Sequence, residues 1–340
     1  MGYGVDILNT IRNNASDEYQ ARIPVATQEN ITQIGNSFQT YELLFNEFKT
    51  ALVNKIGKTI LEQKLFKNKL AKYKSGKIMS GQDVEEIFVE MAKAEGAYDP
   101  AGTNPLGRRS GADVKVFYHR MNRQDYYVVT IGDIDFNRVF RSESTLEEFV
   151  RGLINSVYSG AEYDEWLAMK NVLATYKNEE GTAPGYFDYG VTALNGTNNA
   201  KACTDFVKTL RKAVLDLTVA PSTQYNVAGV KTWSKAENLV LYIHKDLISE
   251  IDVEVLAKAF NMGKTDIQVD IEVMDDFGEL TDTYAILADR DFLKVWDVLS
   301  HMEPQRNAHG LFTNYFYHIH QILSASRFKN AVRFTTKTVA

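Results

Sequence analysis

His318 and His320, in the segment NYFYHIHQIL, stand two residues apart. In a strand that spacing turns both imidazoles to one face, which is the start of a transition-metal site. The sequence offers no third ligand beside them, and with Tyr315 and Tyr317 interleaved the pair reads more simply as hydrogen-bonding groups on a polar sheet face. Asp270 and Glu272 also share a strand face, and Asp275 and Asp276 follow. Paired carboxylates can act as acid and base, but no cleft is implied around these, and a solvated strand face is the favoured reading. Arg108 and Arg109 sit in the glycine-rich run GTNPLGRRSGAD. They could grip a phosphate or carboxylate, although solvated arginines on a turn account for them as well.

Other signatures are missing. The glycines at 2, 4, 102, 107 and 111 match neither phosphate-binding glycine pattern, and there is no Gly-x-Ser-x-Gly elbow. Cys203 is the single cysteine, so an intrachain disulfide and a multi-cysteine zinc site are both excluded; it reads as a small buried hydrophobe. Trp166, Trp233 and Trp296 are scattered and read as core or interface anchors. No catalytic, cofactor-binding or metal-binding residue is therefore assigned. The weight moves from enzymes to a protein whose product is an assembly.

The elements that must position these residues form a chain of 340 residues, larger than one ordinary core, with a hydrophobic fraction of 44%. The formal net charge of -6 argues against a dedicated nucleic-acid binder. No signal peptide, membrane-spanning run, flexible linker or fixed-period repeat is visible, so a protein made in a cytoplasm, without a membrane partner, is expected.

Residues 1–37 carry a short helical pattern at Val5, Leu8 and Ile11 and then an irregular run, an arm too poor in apolar residues to fold by itself. Tyr41, Leu44, Phe45, Phe48, Leu52, Val53 and Ile56 predict an amphipathic helix over about 38–56. From 57 to 127 opposite charges separate along the chain. Lys58, Lys64, Lys67, Lys69, Lys72, Lys74 and Lys77 come first, then Asp83, Glu85, Glu86, Glu90, Glu95 and Asp99. The turn-forming run 96–113 divides flanks, Lys58–Tyr73 and Val114–Ile131, that are expected to pair as two legs of an extended loop. Segregated charge could be a solvated flap. The sharper reading docks it on neighbouring copies, with Lys64, Lys67, Lys69, Lys72, Asp83, Glu85, Glu86, Arg108 and Arg109 as contact residues.

A helix of more than thirty residues is predicted from Leu146 to Tyr176, with Thr145 and Glu148 as a capping box and Gly181 with Pro184 as the stop. Residues 182–200 read as a loop and Phe206, Leu210, Val214 and Leu217 as a second helix. A strand at Leu239–Ile243, a helix through Val255, Leu256 and Phe260, an alternating strand over 267–273, a buried strand at Ala285–Ala288 and long strands from Leu293 complete a mixed α+β pattern.

Several of these segments resemble the major capsid proteins of phi29-like podoviruses: MEPQRNAHGL, NYFYHIHQILSASRFKNAVRF, VEVLAKAFNMGKTD at 253–266, and TLEEFVRGLINSVYSGAEYDEWLAMKNVLATY at 145–176. The resemblance extends from VDILNTIRNN through FYHRMNRQDYYVVTI to the last strand. It implies the HK97-type capsid fold. Residues 1–56 would be the N-terminal arm and first helix, 57–127 the E-loop, 128–184 with 293–340 the P-domain with its spine helix at 145–178, and 185–292 the A-domain. It also implies pentamers and hexamers enclosing packaged double-stranded DNA held non-specifically, a separate scaffolding protein, and a portal protein at one vertex. Some members carry a C-terminal immunoglobulin-like domain, and none is expected here. An encapsulin-like cargo shell is the nearest alternative. A soluble metal enzyme built on His318, His320 and Asp270 is the alternative from another class.

Overall fold

The computed structural model describes residues 3–59, 66–92, 113–133, 140, 143–196, 199–251 and 270–337. It divides into two compact units: unit 1 is 1–68, 122–167 and 297–321, and unit 2 is 69–121, 168–296 and 322–340.

Unit 1 begins with four helices, α1 (Tyr3–Asn13), α2 (Asp17–Arg22), α3 (Ile31–Thr40) and α4 (Glu42–Thr59). The expected single helix over 38–56 is two, because Tyr41 leaves the helical conformation at the end of α3. The arm is also more ordered than its few apolar residues suggested. Val5, Leu8 and Ile11 are buried with Tyr19, Ile23, Ile31 and Phe38. Polar side chains hold the irregular part: Asn9 donates to the carbonyl of Ala26 at 3.0 Å and accepts its N–H at 2.7 Å, and Arg12 donates to the carbonyls of Ile23 and Gln20. Backbone groups that a helix or sheet would satisfy are thus satisfied by two side chains. Phe38 sits among Phe45, Phe48 and Phe140 at ring separations of 4.9–5.7 Å. Gly35 permits this, since a Cβ there would lie 2.4 Å from that of Phe140.

Against these helices lies a sheet in the order β1 (Gly76–Lys77), β9 (Leu293–Asn307), β10 (Phe312–Ala325), β4 (Arg123–Gly132). β10 and β4 pair antiparallel from Phe312↔Gly132 to Gln321↔Arg123. Alternation sends Tyr315, Tyr317 and Ile319 into the core and Phe316, His318 and His320 to the other face. In the tight β9–β10 connection, Asn307 Oδ1 accepts the N–H groups of His309 and Gly310, and Leu311 adopts a φ of 52°.

The spine helix α5 (Glu143–Ala174) buries Val157, Tyr158 and Ala161 in the same core. Its acidic side chains meet the sheet's polar residues. Tyr127 donates to Asp164 at 2.8 Å, Gln321 to Glu165 at 2.6 Å and to Asp297 at 2.7 Å, and Arg123 to Gln321, Tyr127 and Asp125. The side chains of Thr145 and Glu148 lie outside the described residues.

Unit 2 is built on a five-stranded sheet in the order β5 (Phe187–Gly190), β11 (Ala331–Thr335), β8 (Thr283–Asp289), β6 (Leu239–His244), β7 (Asp270–Met274). β5 and β7 run parallel to their neighbours and the inner pairs are antiparallel. The uninterrupted apolar run LVLYI of β6 fits a strand buried on both faces. Helix α6 (Asn199–Thr218) lays Phe206, Leu210, Val214 and Leu217 on the sheet, and the short α7 (Lys245–Glu250) adds Leu247.

Two expectations are corrected here. Residues 187–190 are a strand, not part of a loop, because Asp188 on β5 binds Arg333 on β11 and fixes the edge pairing. The return of the chain beyond Leu293 also does not stay in one sheet, since β11 joins the five-stranded sheet of unit 2. The helix expected through Val255, Leu256 and Phe260, and the strand residues before Asp270, lie outside the described residues.

Candidate assembly interface

The charged region resolves into a two-stranded ribbon of β2 (Val84–Val89) and β3 (Val114–His119), antiparallel with Val84 opposite His119 and Val89 opposite Val114. This corrects the expected legs of the loop. Lys58 ends helix α4 and Lys69–Tyr73 forms a 3-10 turn, so the partner of the strand at Val114 is the acidic segment. The reason is side-chain period. VEEIFV and VKVFYH alternate with period two, and the lysine-rich segment does not.

One face of the ribbon is fixed within unit 2. Phe88 stacks on Phe328 at 5.7 Å, Arg327 lies 5.2 Å from the Phe117 ring centre, and Lys115 donates to the carbonyl of Ala228 at 2.6 Å. Between them His119 is 1% exposed. Its Nδ1 meets the Ser324 hydroxyl and its Nε2 lies 3.1 Å from Glu86. The second Glu86 oxygen accepts from Ser326 at 2.7 Å, with Lys294 3.7 Å away. Burial alone would raise the Glu86 carboxyl, but hydrogen bonds from His119 and Ser326 and the charge of Lys294 outweigh it and hold it below 4.5. Serine, imidazole and carboxylate in that order resemble a hydrolase triad. The Phe117 and Trp296 rings pack on the buried imidazole at 5.0 and 5.5 Å, so the arrangement acts as an attachment.

The opposite face carries Glu85, Ile87 and Val89 beside Val114, Val116 and Tyr118, all exposed. Tyr118 donates to Glu85 at 3.2 Å, and Asp83 pairs with Arg120 at the end of the ribbon. Sequence reasoning weighed the charges here and passed over this apolar face, although the alternation marks it.

The nine candidate contact residues separate accordingly. Lys67, Lys69, Asp83 and Glu85 are exposed. Lys72 is engaged within its own unit by Glu272 at 2.5 Å and Asp270 at 3.8 Å, beside Tyr73, which donates to Glu272 at 2.9 Å. Glu86 belongs to the buried attachment. Lys64, Arg108 and Arg109 lie outside the described residues. His318 packs near the rings of Phe316 and Tyr126, and among the described residues no group of three His, Cys, Asp or Glu converges on a metal position. Asp270 and Glu272 are bound by Lys72, Arg290 and Tyr73, not assembled around a cleft.

A ribbon tethered by one face and a sheet-and-spine unit belong to a known architecture. The family model described as Phi29-like phage major capsid protein matches residues 8–335. This chain belongs to that family. The phi29-like assignment is supported by the major capsid protein of Bacillus phage B103, 38% identical over 333 residues, 97% of this chain and 72% of that one. The major capsid protein of Streptococcus phage Cp-1 is 32% identical over 341 residues, covering 96% and 92%. Among solved structures, the capsid of Staphylococcus phage Andhra aligns with a TM-score of 0.62 at 13% identity over 80% of this chain and 85% of that one. The capsid of cyanophage P-SCSP1u aligns with 0.53 at 12% identity over 81% and 90%. The fold is the HK97-type α+β capsid fold, and the phi29-like protein is a major capsid protein of a tailed phage, a component of the virion shell.

Proposed function

We propose that copies of this chain assemble in the host cytoplasm as pentamers and hexamers and close, with a separate scaffolding protein and a portal protein at one vertex, around double-stranded DNA. The observation that carries this is the family match over residues 8–335. The ribbon at 84–119 acts as the extended loop that reaches a neighbouring copy, while its attached face keeps its base on its own subunit. The exposed Lys67, Lys69, Asp83 and Glu85 then register the contact, since charge at the rim of an interface selects orientation more than it adds affinity. A net charge of -6 suits a container that holds DNA without gripping it.

Residues 1–56 serve in this reading as the N-terminal arm and first helix, 57–127 as the E-loop, 128–184 with 293–340 as the P-domain, and 185–292 as the A-domain. Function is mechanical, resting on many weak contacts repeated by symmetry. Electron microscopy of the purified protein, alone and with a candidate scaffolding protein, tests it. Closed shells, sheets or tubes are expected. A persistent monomer at high concentration in both samples would overturn the proposal.

A further inference from the structure

The upper face of the ribbon is apolar where a solvent face should be polar. Ile87 is 56% exposed, Val89 56%, Val114 50%, Val116 42% and Tyr118 53%. Ile87 lies directly across from Val116, and Val89 from Val114, so these side chains form one continuous patch. An isolated two-stranded sheet is marginal in water, and a contiguous exposed apolar patch on a soluble protein marks a surface that becomes covered. The underside is already occupied by Phe328, Ala228 and Ser326 of the same chain.

We propose that this patch is the inter-subunit contact of the ribbon, and that its occupant is a second copy of this chain. The inference rests on the shell-forming reading above and deepens it, placing the adhesive part of the ribbon on its apolar upper face with the charges at its rim. The chemistry of the face supports that occupant. Its charged members are Glu85 and, at the end of β2, Glu90; Lys115 points to the underside, where it donates to the Ala228 carbonyl. A face of carboxylates and aliphatic groups repels nucleic-acid phosphate and anionic lipid. A shell protein meets its own copies at the highest local concentration, and one patch meeting a different patch on the next copy repeats around a ring.

Thiol protection tests this. Val116→Cys is made in a Cys203→Ser background, so that position 116 carries the chain's single thiol, and Ile87→Cys is made in parallel in case the first variant fails to fold. Maleimide labelling is timed on the unassembled protein and on closed shells. Labelling should be at least tenfold slower in shells, and a benzophenone maleimide on the same thiol should give an adduct at twice the chain mass on irradiation. Equal labelling rates in closed shells would overturn this inference while leaving the shell function intact, and so would adducts to the scaffolding protein alone. Failure of the unaltered chain to form any assembly would overturn both.

Discussion

Glu86 Oε2 lies 3.1 Å from Nε2 of His119, across the two strands of one ribbon and beneath it. Each side chain is also held from the body of unit 2, His119 by Ser324 and Glu86 by Ser326. The pair therefore does two things together. It closes the base of the ribbon and it fastens the ribbon to its own subunit.

Removing the imazidole side of this pair should loosen the ribbon without unfolding the unit. His119→Ala leaves a buried carboxylate short of a donor and opens a gap under Trp296, at a cost of about 2–3 kcal/mol. Hydrogen exchange is expected to quicken across β2 and β3 while β6 and β8 stay protected. Uniform acceleration through the five-stranded sheet would mean that the cluster supports the whole unit.

The same attachment should respond to acid. Glu86 is held below its ordinary value of 4.5, so its contribution is fully present above that value and is lost as pH falls through the folded-state value. Exchange in the ribbon, corrected for the intrinsic rate, should rise as pH drops below about 4.5. Glu86→Gln should remove that dependence. A ribbon equally protected at pH 3 and pH 7 would contradict it.

Charge reversals should separate by where each lysine goes. Lys67→Glu and Lys69→Glu alter exposed positions and should change the melting temperature little while weakening assembly. Lys72→Glu instead sets a carboxylate against Glu272 and Asp270, which should lower stability by about 1–2 kcal/mol. Thermal melts of the unassembled variants beside particle counts by microscopy would expose any exchange of these roles.

Arg333 and Asp188 join β11 to β5 by a two-pronged ion pair, with the guanidinium almost fully buried. Arg333→Ala should cost about 2–3 kcal/mol, less than for a fully enclosed pair because Asp188 keeps contact with water. Urea unfolding measures it. Loss of the whole five-stranded sheet is not expected, since β6, β8 and β11 remain paired.

The spine helix, the second helix at Phe206–Leu217 and the strands at Leu239–His244 and Thr283–Asp289 were legible because each repeats apolar residues at its own period. The order of the arm was not, because its irregular part is held by Asn9 and Arg12 binding carbonyls up to 17 residues away, a contact that leaves no period. β5 escaped notice for a related reason. A four-residue edge strand is too short to show alternation, and its place is set by the ion pair to Arg333.

The sequence by itself determined the family, the α+β class, the lack of a recognisable catalytic motif and the separation of charge between 57 and 127, since these depend on residue types and their order. Only the tertiary structure decided which of those charges remain available. Lys72 and Glu86 are drawn inward because burial next to an opposite charge or a donor is more favourable than solvation alone, and such partners lie 200 and 33 residues away in the chain. It also decided which face of the ribbon is held at home. Alternation divides a strand into two faces, but only packing against Phe328, Ser324 and Ser326 determines which one is left for another molecule.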